Sequence, residues 1–182
     1  MIKPRSEKKL TTVEFARRFA EQSHAGQVRK YTGEAYITHP IRVAELVNEH
    51  VQDDNALCAA LLHDVVEDCE VTIEEIEQLF GGEIAEYVWY LTKPPSFVGD
   101  REKRKRLDRA RLQEAPVLVR FIKVMDIFHN SLSIREHDPE FYKTFREESK
   151  LMLDAMNAFS VVNEIAGREF ASTEFKTWLG EL

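Results

Sequence analysis

Apolar side chains recur at intervals of three or four residues along most of the chain, the spacing that lines one face of an α-helix. Phe15 and Phe19 lie four apart, and Ile73, Ile76 and Leu79 follow the same rule in a later segment. No stretch alternates apolar and polar positions for long enough to indicate a strand. The pattern predicts an all-α protein, a bundle of about eight to nine helices.

Several of the predicted helices have recognisable ends. Thr11 with Glu14, and Thr72 with Glu75, have the spacing of capping boxes, in which each side chain bonds to the other residue's backbone N–H. Pro40 suits the first position of a helix, so residues 27–39 are predicted to form the loop before it.

The C-terminal part is predicted to hold two helices. Asp138 and Pro139 suit an N-cap and a first helical position, and helical spacing continues from there to Gly167. A last short helix follows, with the apolar residues Phe175, Trp178 and Leu179. Because no long linker interrupts the chain, we expect residues 1–182 to form one domain, with C-terminal helices over residues 139–181.

Composition supports this fold class and excludes some partners. Glycine and proline are scarce, with seven and six residues among 182, which favours long helices over a turn-rich fold. The formal net charge of -7 argues against a generic nucleic-acid binder, which relies on excess Lys and Arg. No apolar run approaches a membrane span, and the two cysteines form no disulfide framework. We therefore expect a cytoplasmic protein without nucleic-acid or membrane partners.

Charge is distributed unevenly along the chain. Residues 101–111 contain seven basic and two acidic residues, which breaks the acidic pattern of the preceding segments. A run of this kind is most often a solvated helix face, and a phosphate-binding role is the alternative. His24 and His129 lie in apolar stretches and are interpreted as packed structural histidines.

The most informative segment is the predicted central helix, residues 55–68. Its first half is apolar on every side, which is typical of a buried helix, and Asp53 or Asp54 can cap it. Four polar side chains, those of His63, Asp64, Glu67 and Asp68, end the helix and would share one face. Burying three carboxylates with an imidazole is costly without a compensating positive charge, and a divalent metal would supply it.

Two further metal ligands must come from elsewhere in the chain. His39 stands just before a predicted helix start, where a loop can aim it inward. Asp126 interrupts an apolar helix with a charge. With His63 and Asp64 these residues form a mixed nitrogen and oxygen set, which suits manganese, iron or zinc better than a site for a soft thiolate-bound metal.

Three ordered segments, residues 24–40, 59–68 and 123–130, resemble the hydrolase domain of RelA/SpoT-type alarmone enzymes, a branch of the HD phosphohydrolase superfamily. They contain the motifs HAGQVRK and GEAYITHP, AALLHDVVED, and KVMDIFHN. The resemblance covers about residues 13–135 of the 182. It implies a single HD-domain helical bundle, and the length leads us to expect a stand-alone small alarmone hydrolase.

The resemblance also implies a reaction and a cofactor. Such an enzyme removes pyrophosphate from the 3′ position of ppGpp or pppGpp, leaving GDP or GTP, and depends on Mn2+. Fe2+, Zn2+, Co2+ and Ni2+ are compatible with the same ligands. The family's metal ligands carry over onto His39, His63, Asp64 and Asp126. Its catalytic acidic pair carries over onto Glu67 and Asp68.

The residues implied to bind the purine nucleotide are Arg29, Lys30, Asn130 and Lys123. Ile127 departs from the family pattern, which places Arg or Lys after the metal-binding Asp; residues 94–95 and the basic run depart as well. Two alternatives therefore stay open. One is an HD phosphohydrolase acting on ppApp or a nucleoside phosphate, and the other is a non-catalytic nucleotide-binding module. The oligomeric state is not predicted.

Overall fold

A computed structural model describes residues 10–166, 177, 178 and 180. Within these residues all regular structure is helical, which confirms the all-α prediction. The elements are α1 (Thr12–Ser23), α2 (Thr38–Asn48), α3 (Asp54–Leu62), α4 (Val65–Asp68), α5 (Ile73–Phe80), α6 (Gly82–Leu91), a 3-10 turn (Ser96–Val98), α7 (Arg101–Gln113), α8 (Val117–His137), α9 (Pro139–Ala155) and α10 (Ala158–Ala166). No helix in the described ranges is long and apolar enough to span a bilayer.

Helix α3 lies at the centre of the bundle, as its apolar sequence predicts. It packs against α1, α2, α6 and α8, and most of its side chains are fully buried. Asp53 caps its N-terminus by accepting a hydrogen bond from Ala56 N at 2.8 Å. Helix α8 supplies the other half of the core with Phe121, Ile122 and Met125. The buried residues form a hydrophobic cluster that extends from α1 to α10.

The predicted single helix over residues 55–68 is wrong, because the chain breaks at His63 and Asp64. Helix α3 ends at Leu62, and the one-turn helix α4 begins at Val65. The His63 ring provides a physical reason. Its Nδ1 lies 2.8 Å from Ala60 O, the carbonyl that the Asp64 N–H would use in a continuous helix. The acidic pair on α4 therefore does not continue the register of α3, although Asp68 N still donates to Asp64 O at 2.9 Å.

Two other helix boundaries also differ from the prediction. Helix α2 starts at Thr38, two residues before Pro40. The helix predicted from Pro139 to Gly167 is divided in two, because Asn157 adopts a left-handed φ of 51° that no α-helix continues through. Both predicted capping boxes are present.

Some of the C-terminal predictions lie outside the described residues. Gly167, Phe175 and Leu179 are among these positions. Trp178 is described, and its ring packs against that of Phe128 with 5.3 Å between centroids. The prediction that the whole chain forms one domain stays a prediction.

The loop between α1 and α2 folds back on itself. Val28 and Ala35 form an isolated antiparallel bridge, and Arg29 N donates to Glu34 O at 2.8 Å. Gly33 turns the chain with a φ of 72°, a conformation that costs glycine little. The bridge fixes the backbone on both sides of Arg29 and holds Tyr36 next to the start of α2.

Candidate metal centre

Three buried side chains from three separate segments meet at one point in the bundle. His39 comes from α2, His63 from the break after α3, and Asp126 from the middle of α8. Each offers one ligand atom, and these atoms all lie within 4.8 Å of one another. His39 Nε2 is 3.1 Å from Asp126 Oδ1, and His63 Nε2 is 3.7 Å from the same oxygen. The distances suit donors that share a single ion.

The surroundings of His63 fit a metal ligand. Its Nδ1 contacts Ala60 O, which directs the other ring nitrogen inward. That inward atom, Nε2, is buried; Asp64 Oδ2 lies 3.0 Å away, but no described residue has the geometry of a hydrogen bond to it. A ligating histidine usually has this arrangement, with one nitrogen bonded to a backbone carbonyl and the other left for the metal. Two imidazoles with a carboxylate suit a divalent transition metal.

Asp64 borders this group of three. Its Oδ2 is 3.0 Å from His63 Nε2 and 3.6 Å from His39 Nε2. The same oxygen lies 2.8 Å from the hydroxyl of Tyr36, which fixes the carboxylate from the loop side. Asp64 is thus close enough to the histidine nitrogens to be a fourth donor.

The second nitrogen of His39 is held by another histidine. The Nδ1 atoms of His39 and His129 lie 2.7 Å apart, so one of them carries the shared proton. Burial, with the nearby His39 and Arg29, lowers the pKa of His129 to about 4. His129 is therefore neutral at pH 7 and can accept the proton from His39. His39 Nε2 is then left free to bind a metal.

Asp126 is fixed by its own helix. Lys123 Nζ donates to Asp126 Oδ2 at 2.8 Å, and Asn130 Nδ2 donates to Oδ1 at 2.7 Å. Asn130 in turn accepts a hydrogen bond from Arg29 Nη2 at 2.9 Å. A continuous chain of contacts thus connects the loop after α1 to the metal centre.

The electrostatics of this group favour a positive charge at its centre. Burial opposes a charged imidazole, yet the Asp64 and Asp126 carboxylates raise the pKa of His63 to about 10. Burial also opposes ionisation of Asp126, but Lys123 and the two histidines hold its pKa well below the usual range. A divalent cation would supply the positive charge that a proton on His63 otherwise supplies, and it would displace that proton.

The two acidic residues of α4 have separate partners. Glu67 is bound by Lys93 Nζ, at 2.9 Å from Oε1 and 3.1 Å from Oε2. Asp68 Oδ2 lies 2.9 Å from the Tyr36 hydroxyl. Partial burial and the charge of Asp64 raise the pKa of Asp68. The Tyr36 hydroxyl has one proton, so it can donate to only one of the two carboxylates at a time.

Two adjoining clefts lie next to these groups. The larger, which we call the α7 cleft, has a volume of about 800 Å³ and is lined by Glu67 and Asp68 on one side and by α7 on the other. The smaller, the α9 groove, has a volume of about 270 Å³ and reaches Asp126 and Asn130. Both are lined by Lys93, Arg101, Lys105 and Asp108. Basic side chains thus face the acidic pair and the metal centre.

The predicted substrate-binding residues occupy different environments. Arg29 is half-buried and held by Asn130, with its guanidinium 5.8 Å from the centre of the Tyr36 ring. Lys30 is exposed and contacts the Tyr31 hydroxyl at 3.1 Å. Lys123 is only 6% exposed, and its amino group is bonded to Asp126. The structure thus brings Asn130 and Lys123 to Asp126 and leaves Lys30 at the surface.

Three residues with direct contacts in the site were not predicted to act there. Tyr36 joins the two carboxylates of Asp64 and Asp68, Lys93 binds Glu67, and His129 supports His39. Tyr36 and His129 stand in segments that carry the family resemblance, which is the signal that could have identified them, whereas Lys93 lies outside those three segments. His129 lies three residues after Asp126, so helical spacing places it on the same side.

His24 is buried, as expected of a packed structural histidine. Its Nδ1 contacts Gln27 Oε1 at 2.8 Å and Cys69 Sγ at 3.3 Å. Burial raises the pKa of the Cys69 thiol, so it is a poor nucleophile at neutral pH. Both cysteines are free.

Comparisons with known proteins agree with this geometry. The chain is 37% identical over 138 residues to a probable guanosine-3′,5′-bis(diphosphate) 3′-pyrophosphohydrolase of Synechocystis, with 72% of this chain and 18% of that protein covered. It is 35% identical over 136 residues to the bifunctional (p)ppGpp synthase/hydrolase SpoT of Escherichia coli, with 71% and 19% covered. The chain thus spans about a fifth of the length of these relatives.

A solved structure has the same fold. It is described as a metazoan ortholog of SpoT that hydrolyzes ppGpp, and it superposes with a TM-score of 0.76 at 23% identity, over 97% of this chain and 96% of that one. The sequence profile of the HD domain matches residues 16–150, which include every residue of the metal centre. The chain belongs to the HD-domain family.

Proposed function

We propose that this protein is a metal-dependent hydrolase that removes the 3′-pyrophosphate from ppGpp or pppGpp. The observation that carries the proposal is the position of Glu67 and Asp68, on the wall of a cleft that faces basic side chains and adjoins the buried metal donors. The functions of the relatives, a probable 3′-pyrophosphohydrolase and the synthase/hydrolase SpoT, support the same reaction. A cytoplasmic location stays a prediction.

The proposed ligands of the metal are His39, His63, Asp64 and Asp126, and Mn2+ is the proposed ion. When bound, a divalent ion lowers the pKa of a coordinated water and offsets charge on a phosphoryl oxygen. The protein holds the side chains of these residues in fixed orientations. His129 and the Ala60 carbonyl orient the two imidazoles, while Lys123 and Asn130 hold the carboxylate of Asp126.

Glu67 and Asp68 are the proposed catalytic groups. Asp68, with its raised pKa, is suited to exchange a proton with water or with the leaving ribose oxygen. Tyr36 holds its carboxylate next to Asp64, so the proton path begins beside the metal ligands. Glu67 is held by Lys93, and in this position it can orient the attacking water from the cleft wall.

The proposed nucleotide site extends to both sides of this reaction centre. Arg29 and Lys30 are the proposed contacts of the purine, since a planar guanidinium can stack on a base. Asn130 connects Arg29 to the ligand Asp126, which would couple base recognition to the position of the reacting phosphate. The basic residues of the α7 cleft are the proposed phosphate contacts, and Lys123 acts through Asp126.

The test is a hydrolysis assay on the purified protein with Mn2+, with and without a chelator. The substrates are ppGpp, pppGpp, ppApp, a nucleoside monophosphate and an ester reporter. We expect release of pyrophosphate from ppGpp and pppGpp, lost on chelation and restored by Mn2+. If only ppApp or the monophosphate is hydrolysed, the enzyme belongs to another substrate class. Binding of ppGpp without turnover of any substrate would indicate a nucleotide-binding module.

A further inference from the structure

The N-terminal half of α7 has little apolar packing. Among the residues of this helix, only Asp108 and Leu112 are buried, and both lie in its second half. Every side chain from Arg101 to Leu107 is exposed or half-buried. The hydrophobic effect therefore does not fix this half of the helix against the bundle, and polar contacts must do so.

The polar contacts converge on one carboxylate of α9. Arg101 donates from Nε to Glu148 Oε1 and from Nη2 to Oε2, both at 2.9 Å, which is a two-pronged pair. Lys105, one turn later, lies 3.2 Å from Glu148 Oε2. The side chains of Arg101, Lys105 and Glu148 are 59%, 31% and 22% exposed, so water screens these pairs in part, and most strongly at Arg101. Partial burial opposes its ionisation, yet Arg101 and Lys105 lower the pKa of Glu148.

The two basic side chains held in this way line both clefts. A guanidinium has five N–H donors and an ammonium has three, so Arg101 and Lys105 keep donors beyond those that Glu148 accepts. Pairing with Glu148 also restricts the rotamers of two long side chains before any ligand arrives. Ordering such side chains at the moment of binding would weaken affinity.

We propose that Glu148 is a positioning residue that holds Arg101 and Lys105 towards the phosphate chain of the substrate. The inference rests on the proposed function and deepens it. Glu148 does not touch the reacting atoms. It sets the geometry of the phosphate-facing wall, so its removal weakens binding of the polyphosphate and leaves the chemical step intact.

The first experiment compares Glu148→Gln with the wild-type protein and with Glu140→Gln. Glu140 lies on the same helix and pairs only with the exposed Lys143 among the described contacts, so its substitution removes the same charge away from the cleft. We expect Glu148→Gln to raise the KM for ppGpp about tenfold with kcat changed less than about twofold. Glu140→Gln should change neither constant.

A second measurement is independent of turnover. Inorganic pyrophosphate is titrated into the Mn2+-loaded protein by calorimetry, and Glu148→Gln should weaken its binding by the same factor as the KM change. In a background of Arg101→Gln with Lys105→Gln, the further change of Glu148 should have no effect, because the groups that it positions are gone.

Each outcome decides the inference. An unchanged KM and unchanged pyrophosphate affinity would refute it, and a lower KM would show that Glu148 competes with the substrate instead. A fall in kcat with a constant KM would assign Glu148 to the chemistry or to general stability. If the wild-type protein binds pyrophosphate but hydrolyses no ppGpp, the proposed function fails, and the calorimetry still tests Glu148.

Discussion

The metal centre and the α7 wall of the cleft are built in opposite ways. His39, His63 and Asp126 are at most 5% exposed and project from helices that are packed into the core. Arg101 and Lys105 project from a half-helix with no buried residue and are held by a shared carboxylate. The first region is positioned by close packing, and the second by ion pairs that water partly screens.

This difference matches two separate roles in the proposed reaction, metal binding by the first region and phosphate binding by the second. Ligands of a metal must keep their geometry within a fraction of an ångström, and a packed core provides that precision. A phosphate chain can be bound by charges of looser geometry, because Coulomb attraction varies gradually with distance. The comparison predicts that substitutions in the core region act on turnover and those on α7 act on affinity.

The largest expected effect tests the core region. His63→Gln removes the buried nitrogen that points at the metal centre, and we expect kcat for pyrophosphate release to fall at least about a thousandfold. Metal analysis of the purified variant should show loss of the bound ion. His50→Gln, the same change outside the centre, is the control. A His63 variant that retained metal and turnover would place the metal site elsewhere.

An intermediate effect is expected at the boundary between the regions. Tyr36→Phe removes the hydroxyl that contacts Asp64 and Asp68, so the carboxylate of Asp68, the proposed proton-exchanging group, loses its fixed position. We expect kcat to fall about tenfold to a hundredfold, with the metal retained and KM nearly unchanged. Steady-state kinetics and metal analysis check this. A change confined to KM would assign Tyr36 to substrate binding.

The smallest effect concerns stability and lies in the α7 wall. Asp108 is buried, and its Oδ1 accepts no hydrogen bond from any described residue. Burial raises its pKa, although Lys123 and Lys93 oppose the shift. A carboxyl whose pKa is higher in the folded state costs stability once it ionises, and that cost disappears below the pKa of the unfolded chain.

Asp108→Asn should therefore increase the free energy of unfolding at pH 7, and the difference from wild type should shrink as the pH falls towards about 4. Urea unfolding at several pH values measures this difference in the free energy of unfolding. The same substitution at the exposed Asp154, Asp154→Asn, is the control. If Asp108→Asn destabilised the protein at neutral pH, the surrounding lysines would outweigh burial, and the α7 wall would depend on this carboxylate as a buried ion partner.

Much of the core region could be predicted from the sequence. Local patterns such as the Thr72–Glu75 capping box and the apolar run of α3 are determined by neighbours in the chain, and both are present as predicted. The set His39, His63 and Asp126 was also anticipated, since a buried charge without a partner is costly wherever it stands. These side chains do meet at one point, although their role as ligands stays a prediction.

The parts that could not be predicted depend on contacts between distant segments. The pairing of Arg101 with Glu148 joins residues 47 positions apart, and no local pattern indicates it. The break after α3 was missed because every residue around it is compatible with a helix. It depends on one side-chain contact, between the His63 ring and the Ala60 carbonyl. The spacing of apolar residues indicates which face of a helix is buried. It does not indicate where a side chain competes with a backbone N–H for a carbonyl, as the His63 ring does.

The break between α3 and α4 also has a consequence for how the protein can change over evolutionary time. Because α3 ends before His63 and α4 begins after Asp64, the side chains of Glu67 and Asp68 are not held in the register of one continuous helix with His63. A substitution at Glu67 or Lys93 can therefore change the wall of the α7 cleft while His39, His63 and Asp126 stay where the core packing holds them. Two residues of irregular backbone thus allow the cleft wall to diverge in evolution separately from the candidate metal centre.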